Sequence, residues 1–130
     1  MKILIADDER YIRNGIANSI EWGELGISEV LLAEDGLQAL EICRIERPCL
    51  LITDIRMPGM TGLELASAAV HQYQVQKVII LSGYSEFTYA KEAVRLGVEE
   101  YLVKPVDLEQ LTGLIRKCVF EISGSLEITF

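Results

Sequence analysis

Five short apolar runs punctuate the chain: Ile3–Ala6 (ILIA), Val30–Ala33 (VLLA), Leu50–Thr53 (LLIT), Val78–Leu81 (VIIL) and Tyr101–Val103 (YLV). Each is continuously apolar rather than alternating, which is how a strand reads when both of its faces are covered. The segments between and after the runs have a helical period instead. Tyr11–Ile20 places Ile12, Ile16 and Ile20 on one face. Leu37–Ile45 carries Leu37, Leu40 and Ile45, with Ala39 and Cys43 alongside. Leu63–Val70 carries Leu63, Ala66 and Val70, and Phe87–Leu96 carries Phe87, Ala90 and Val94. Leu108, Leu111, Ile115, Cys118 and Ile122 form the last stripe.

The order is therefore strand then helix, five times over. That predicts an α/β domain with a parallel sheet sandwiched between helices, and right-handed crossovers leave few topologies for it. Boundary residues agree. Asp35-Gly36 and Ser85 can open helices, Gly97 can close one, and Asp107 can cap the last. The tail "SGSLEITF" breaks the final stripe. We expect one domain over 1–122 and a tail over 123–130, either a linker stub or a trimmed end.

Composition narrows the class without changing it. A chain of 130 residues, half hydrophobic and a quarter charged, suits one well-cored domain. Its net charge of −8 repels nucleic acid and anionic membranes, so the chain by itself is not expected to bind DNA. No apolar run approaches the roughly 20 residues of a membrane span. Charge arrives at Asp7, too early for a signal-peptide core, so the expected location is the cytoplasm. Cys43, Cys49 and Cys118 are odd in number and lack a C-x-x-C pair, so they read as structural thiols. His71, the one histidine, has no neighbour at ligand spacing and reads as a surface residue.

The chemistry lies just past the end of each run. Asp7 and Asp8 come after the first, Asp54 after the third, Ser82 after the fourth and Lys104 after the fifth. In an open parallel sheet the carboxyl ends of the strands share one edge, so these groups should converge. Three carboxylates at one edge repel each other and call for a cation. Oxygen donors without histidine or cysteine suit a hard ion such as magnesium, and Lys104 adds a fixed ammonium. Ser82 can donate a hydrogen bond to a phosphoryl oxygen. The set fits phosphoryl transfer by positioning and electrostatics, with Asp54 as the nucleophile. Each residue alone has a plainer reading: Asp7 and Asp8 as helix caps, Ser82 as a turn residue, Lys104 as surface. Their joint placement at four strand ends carries the argument.

The stretches "ILIADDE", "ITDIRMPGMTGLEL", "VIILSGY" and "YLVKPVD" resemble the receiver domain of bacterial two-component response regulators over about residues 2–122. The D-x-x-M-P-x-M-x-G pattern from Asp54 to Gly62 is the most specific of them. The resemblance implies a flavodoxin-like (βα)5 doubly wound sandwich with sheet order 2-1-3-4-5. It implies that Asp54 accepts phosphate from a sensor histidine kinase. Asp8, Asp54 and the backbone carbonyl of Arg56 would ligate Mg2+, with Asp7 helping through water. Lys104 would contact the phosphoryl group, Ser82 would be the switch hydroxyl and Tyr101 the aromatic that moves inward after it. Lys104-Pro105 would be a cis peptide. Arg56 and Tyr84, each two positions past a site residue, would shield the acyl phosphate and lengthen its life. "GYSEFTYAKEAVRLGVEEYLVKPVD" and "SIEWGELG" are similar to receivers joined to an AraC-type helix-turn-helix output domain, which implies transcription regulation through a domain that these 130 residues do not include.

Phosphorylation is expected to draw Ser82 toward the phosphate and let Tyr101 turn inward. That would alter a surface of Ser85–Leu96, Glu100–Val103 and the last helix, whose charges include Lys91, Glu92, Arg95, Glu109, Arg116 and Lys117. A homodimer through this face is the expected partner interaction besides the kinase. Such a domain assists its own phosphorylation but is not an enzyme acting on a separate substrate. Three alternatives differ in pattern. A haloacid dehalogenase-type phosphatase resembles D-x-D after the first strand, whereas residues 7–9 are Asp-Asp-Glu. A flavin binder needs a phosphate loop there, and acids would repel the phosphate. A phosphate-independent docking module would usually lack a site residue.

Overall fold

The computed structural model describes residues 1–83 and 100–128. Five parallel strands, β1 (Lys2–Ala6), β2 (Glu29–Ala33), β3 (Leu50–Asp54), β4 (Lys77–Ser82) and β5 (Glu100–Val103), form one sheet in the order β2-β1-β3-β4-β5. Each of the five apolar runs is a strand, extended by one polar residue or two at most. The segments between the first four strands hold α1 (Arg10–Ser19), a short 3-10 turn (Trp22–Leu25), α2 (Gly36–Glu46) and α3 (Gly62–Tyr73). A C-terminal helix spans Leu108–Ile128. The Phe87–Leu96 stripe and the Ser85 and Gly97 boundaries lie outside the described residues.

The reason for continuous apolar strands is visible in the two cores. Leu4, Ala6, Leu51, Val78 and Ile80 face α2 and α3, where Ala39, Cys43, Leu65, Ala66 and Ala69 meet them. Ile3, Ile5, Leu50, Ile52, Ile79 and Leu81 face α1 and the C-terminal helix, meeting Ile16, Ile20, Leu111, Ile115 and Cys118. Successive strand residues point to opposite faces, and both faces are covered. Full burial of a Leu or Ile side chain contributes about 1.5–3 kcal/mol, so this double layer is the main stabilising term.

The α2 stripe differs from expectation. Leu37 and Ile45 are 60% and 62% exposed, while Ala39 and Cys43 are fully buried. The inward line is Gly36, Ala39 and Cys43, which keeps the helical period with small residues and lets the helix approach closely. At Gly36 an added Cβ would stand 2.6 Å from Met60 Cβ. Two other stripe residues are only marginally covered: Val70 in the second half of α3 and Leu108 at the start of the last helix. The last helix also runs past Ile122 to Ile128. Each further helical residue adds a hydrogen bond without a new nucleus, so Ser123 and Gly124 are carried along despite weak propensity.

Caps appear where side chains can supply them. Asp35 accepts from Gln38 N at 2.7 Å, and Asp107 Oδ1 accepts from Glu109 N at 2.9 Å and Gln110 N at 3.1 Å. Thr61 and Glu64 form a reciprocal capping box on α3. All three cysteines are thiols; burial pushes Cys43 up to about 11, which keeps it protonated and inert. His71 is exposed, with Nδ1 2.8 Å from Ser67 O. No helix among the described residues is long and apolar enough to cross a membrane.

Candidate functional site

Parallel pairing delivers the chemistry to one edge. Asp54 is the last residue of β3, in register with Leu81 of β4, and Ser82 ends β4 opposite Val103 of β5. Asp7 comes directly after β1, and Lys104 directly after β5, its N–H donating to Ser82 O at 2.7 Å. The Lys104–Pro105 peptide is cis. These groups come from positions nearly 100 residues apart, yet Lys104 Nζ lies 3.0 Å from Asp54 Oδ2 and 3.2 Å from Asp7 Oδ2. Glu9 Oε1 is 3.6 Å from the same ammonium.

Asp7 is fully buried and Asp54 is 5% exposed. Charged groups so placed need partners at every oxygen. Asp7 Oδ1 accepts from Glu9 N at 2.8 Å and Asp54 Oδ1 from Ile55 N at 2.7 Å, while Lys104 covers both Oδ2 atoms. Burial raises the Asp7 carboxyl above its usual range; the Glu9 amide and Lys104 oppose this, and Asp54 adds to it. Lys104 is also raised. Burial pushes it down, but the Asp54 hydrogen bond and the charges of Asp7 and Asp54 outweigh that.

The turn after Asp54 fixes the backbone that carries the carboxylate. Gly59, after Pro58, sits at φ 80°, a left-handed conformation that glycine adopts without a Cβ penalty. Gly62 N donates to Ile55 O at 2.7 Å. A Cβ on Gly62 would fall 1.9 Å from Asp54 O, so only glycine lets α3 start this close to the strand end.

Asp7, Glu9 and Asp54 each offer a carboxylate oxygen, and these atoms all lie within 4.8 Å of one another. A hard divalent cation suits such an all-oxygen set, and Lys104 already lies in contact with all three acids. Asp8 is exposed and lies outside this trio. Glu9, which the strand-end reasoning passed over, is inside it. The signal for Glu9 was its place in Asp-Asp-Glu, where β1 has ended and the chain is turning into α1. Arg56 is exposed immediately beyond the site. Ser82 is buried and donates to the Tyr101 hydroxyl, so the two expected switch residues are in contact. Tyr84 lies outside the described residues.

Comparison with known proteins adds an independent line. Residues 3–116 match the model of the response regulator receiver domain. The chain is 43% identical over 121 residues to the transcriptional regulatory protein YesN of Bacillus subtilis, covering 93% of this chain and 33% of that protein. It is 41% identical over 118 residues to the transcriptional regulatory protein HptR of Staphylococcus aureus, covering 91% and 46%. It thus spans a third to a half of these curated relatives. Among solved structures, the receiver domain of AraT, a response regulator from Geobacillus stearothermophilus, superposes with a TM-score of 0.90 at 42% identity, covering 96% of this chain and 97% of that one. A two-component transcriptional regulator AraC from Clostridium phytofermentans gives 0.88 at 31% identity, covering 99% of both. With its sheet order, its acidic strand-end edge and its match over most of its length, the chain belongs to the response regulator receiver domain family.

Proposed function

We propose that Asp54 accepts a phosphoryl group from the phosphohistidine of a sensor kinase. The convergence of Asp7, Asp54 and Lys104 within hydrogen-bond reach at one sheet edge is the observation that carries this reading. An Asp54 oxygen forms the new bond to phosphorus as the bond from phosphorus to the donor nitrogen breaks. The Ile55 amide holds the carboxylate and the close packing of Gly62 holds the Asp54 backbone behind it, so little reorganisation precedes attack. Lys104 is placed to pass from the carboxylate pair to a phosphoryl oxygen, supplying positive charge where negative charge arrives.

Asp7 and Asp54, with Glu9 or Asp8 from the same loop and the Arg56 carbonyl, would hold Mg2+. When bound, the ion neutralises phosphoryl oxygens and offsets the repulsion among the acids. Ser82 and Tyr101 are the switch pair: a phosphoryl group competes with the Tyr101 hydroxyl for the Ser82 proton, and loss of that bond removes one restraint on the ring. Arg56 shields the acyl phosphate from water, together with Tyr84. The output is transcription regulation, as the names of YesN and HptR suggest, exerted through a DNA-binding region elsewhere in the natural protein. The work is cytoplasmic, and the phosphorylated form pairs with a second copy.

The test is incubation with acetyl phosphate and magnesium. A mass gain of one phosphoryl group, absent in Asp54→Ala and without turnover of an added phosphomonoester, is the expected result. Steady hydrolysis of the phosphomonoester would replace this reading with that of a phosphatase.

A further inference from the structure

We propose that Arg13 is a positioning residue for the divalent-cation site, fixing the Asp7–Glu9 loop through a backbone carbonyl. The inference rests on the cation-assisted phosphoryl transfer proposed above.

Asp7 is tethered at every polar atom. Its N–H donates to Ala33 O at 3.1 Å, the last tie between this loop and the end of β2. Its two carboxylate oxygens meet Glu9 N and Lys104 Nζ. Its carbonyl is the weak point. Pairing of β1 with both neighbours ends at Ala6, so Asp7 O lies beyond the ladder. A buried carbonyl without a donor is costly. Arg13 fills the gap, donating from Nη1 to Asp7 O at 2.8 Å.

Arg13 can do this because of where α1 begins. Its own N–H donates to Glu9 O at 3.0 Å, so its main chain holds the far end of the loop while its side chain holds the near end. The N-cap residue Glu9 makes no side-chain cap. The guanidinium thus does the anchoring that a capping side chain does elsewhere in the fold. With the Asp7–Asp8 peptide plane held at its carbonyl, the directions of Asp8 and Glu9 are set too. Freed, that plane can rotate, and the acids that would share a cation move apart.

Charge alone predicts the opposite behaviour, which makes the idea testable. Arg13 is a cation near a cation site, so neutralising it removes repulsion and should tighten Mg2+ binding. Positioning predicts weaker binding, because a group that orients a metal ligand typically contributes 10–100-fold in affinity. Calorimetric titration of the unphosphorylated chain with MgCl2 separates the two, using Arg13→Met, Arg13→Leu and Arg13→Lys. Positioning predicts about tenfold weaker binding in Arg13→Met. It also predicts a matching rise in the magnesium needed for half-maximal phosphorylation by acetyl phosphate, and substantial recovery in Arg13→Lys, which keeps a donor. If Arg13→Met does not fold, as judged by circular dichroism, Arg13→Leu carries the comparison. Unchanged or tighter Mg2+ binding in the neutral variants, or no recovery in Arg13→Lys, overturns the role of Arg13. If the unmodified chain itself takes no phosphoryl group on Asp54, the underlying reading fails instead, and the two failures are distinguishable.

Discussion

Gly62→Ala is the sharpest single perturbation of the phosphoacceptor. The added methyl would sit 1.9 Å from Asp54 O, 2.8 Å from Asp54 C and 3.0 Å from Ile55 Cα. All three are backbone atoms, so no side chain can swing away. Moving the oxygen out to even 3.0 Å requires about 1.1 Å of separation between the start of α3 and the end of β3. That shift also stretches the 2.7 Å bond from Gly62 N to Ile55 O. Overpacking of this kind costs about 1–3 kcal/mol, and a weakened buried hydrogen bond adds about 1 kcal/mol. We expect a loss of about 2–4 kcal/mol, which for a domain of this size lowers Tm by roughly 8–15 °C. Function should suffer more than stability suggests, because Asp54 itself is displaced by about 1 Å and such misplacement costs roughly a hundredfold in rate. Urea and thermal unfolding measure the first, and intact-mass kinetics with acetyl phosphate measure the second. Gly15→Ala in α1 is the control. Its Cβ meets nothing within 4 Å, so it should stabilise by about 0.5–1 kcal/mol through helix propensity alone. If Gly62→Ala resembles Gly15→Ala in both assays, the close-approach reasoning is wrong.

The remaining expectations concern titration, the switch pair and self-association. Asp7 has a folded-state pKa raised above 3.8 by burial, so its ionised form opposes folding and stability falls as pH rises from 3.8 through the raised value; Asp7→Asn should be more stable than the parent at pH 7 without divalent ions, and magnesium at 100 times its Kd should stabilise the parent by about 2.7 kcal/mol while helping the variant less, all readable as Tm. Lys104 is the reverse case: its pKa is raised above 10.5, so its contribution is complete below that pH and is lost as pH climbs through the folded value, and Lys104→Met should flatten the alkaline limb of a stability–pH profile relative to the parent. Tyr101→Phe keeps the ring but removes the hydroxyl to which Ser82 donates, leaving Ser82 the longer contact to Gly83 O at 3.4 Å; its amide exchange around β4 and β5 in the unphosphorylated state should rise, and identical exchange would show that the Ser82–Tyr101 bond holds nothing in place. For self-association, sedimentation with and without beryllofluoride should show a concentration-dependent shift only with the phosphate mimic; equal coefficients would count against pairing driven by phosphorylation.

Much was determined by the chain order alone. Continuous apolar runs declare strands buried on both faces, and the residue after each run lies at the same sheet edge in any parallel arrangement, so Asp7, Asp54, Ser82 and Lys104 were legible as a group. Periodicity also located four helices, three of them within three residues of their ends and the last six residues short at its C-terminus, although it misjudged which line of α2 faces inward. Leu37 and Ile45 look like core, but a helix packed tightly on a sheet buries Gly36, Ala39 and Cys43, because small side chains permit the approach. Local pattern measures hydrophobicity and is blind to the distance available. The same limit explains Glu9, Gly62 and Arg13. Whether Asp8 or Glu9 turns toward Lys104 depends on how the chain leaves β1. The requirement for glycine at residue 62 depends on a strand end eight residues earlier in the chain. The role of Arg13 depends on a carbonyl left over where the ladder stops. Residue type and spacing decide which groups reach the edge; only the packed backbone decides their directions, because direction is set by contacts between segments that sequence order does not place side by side.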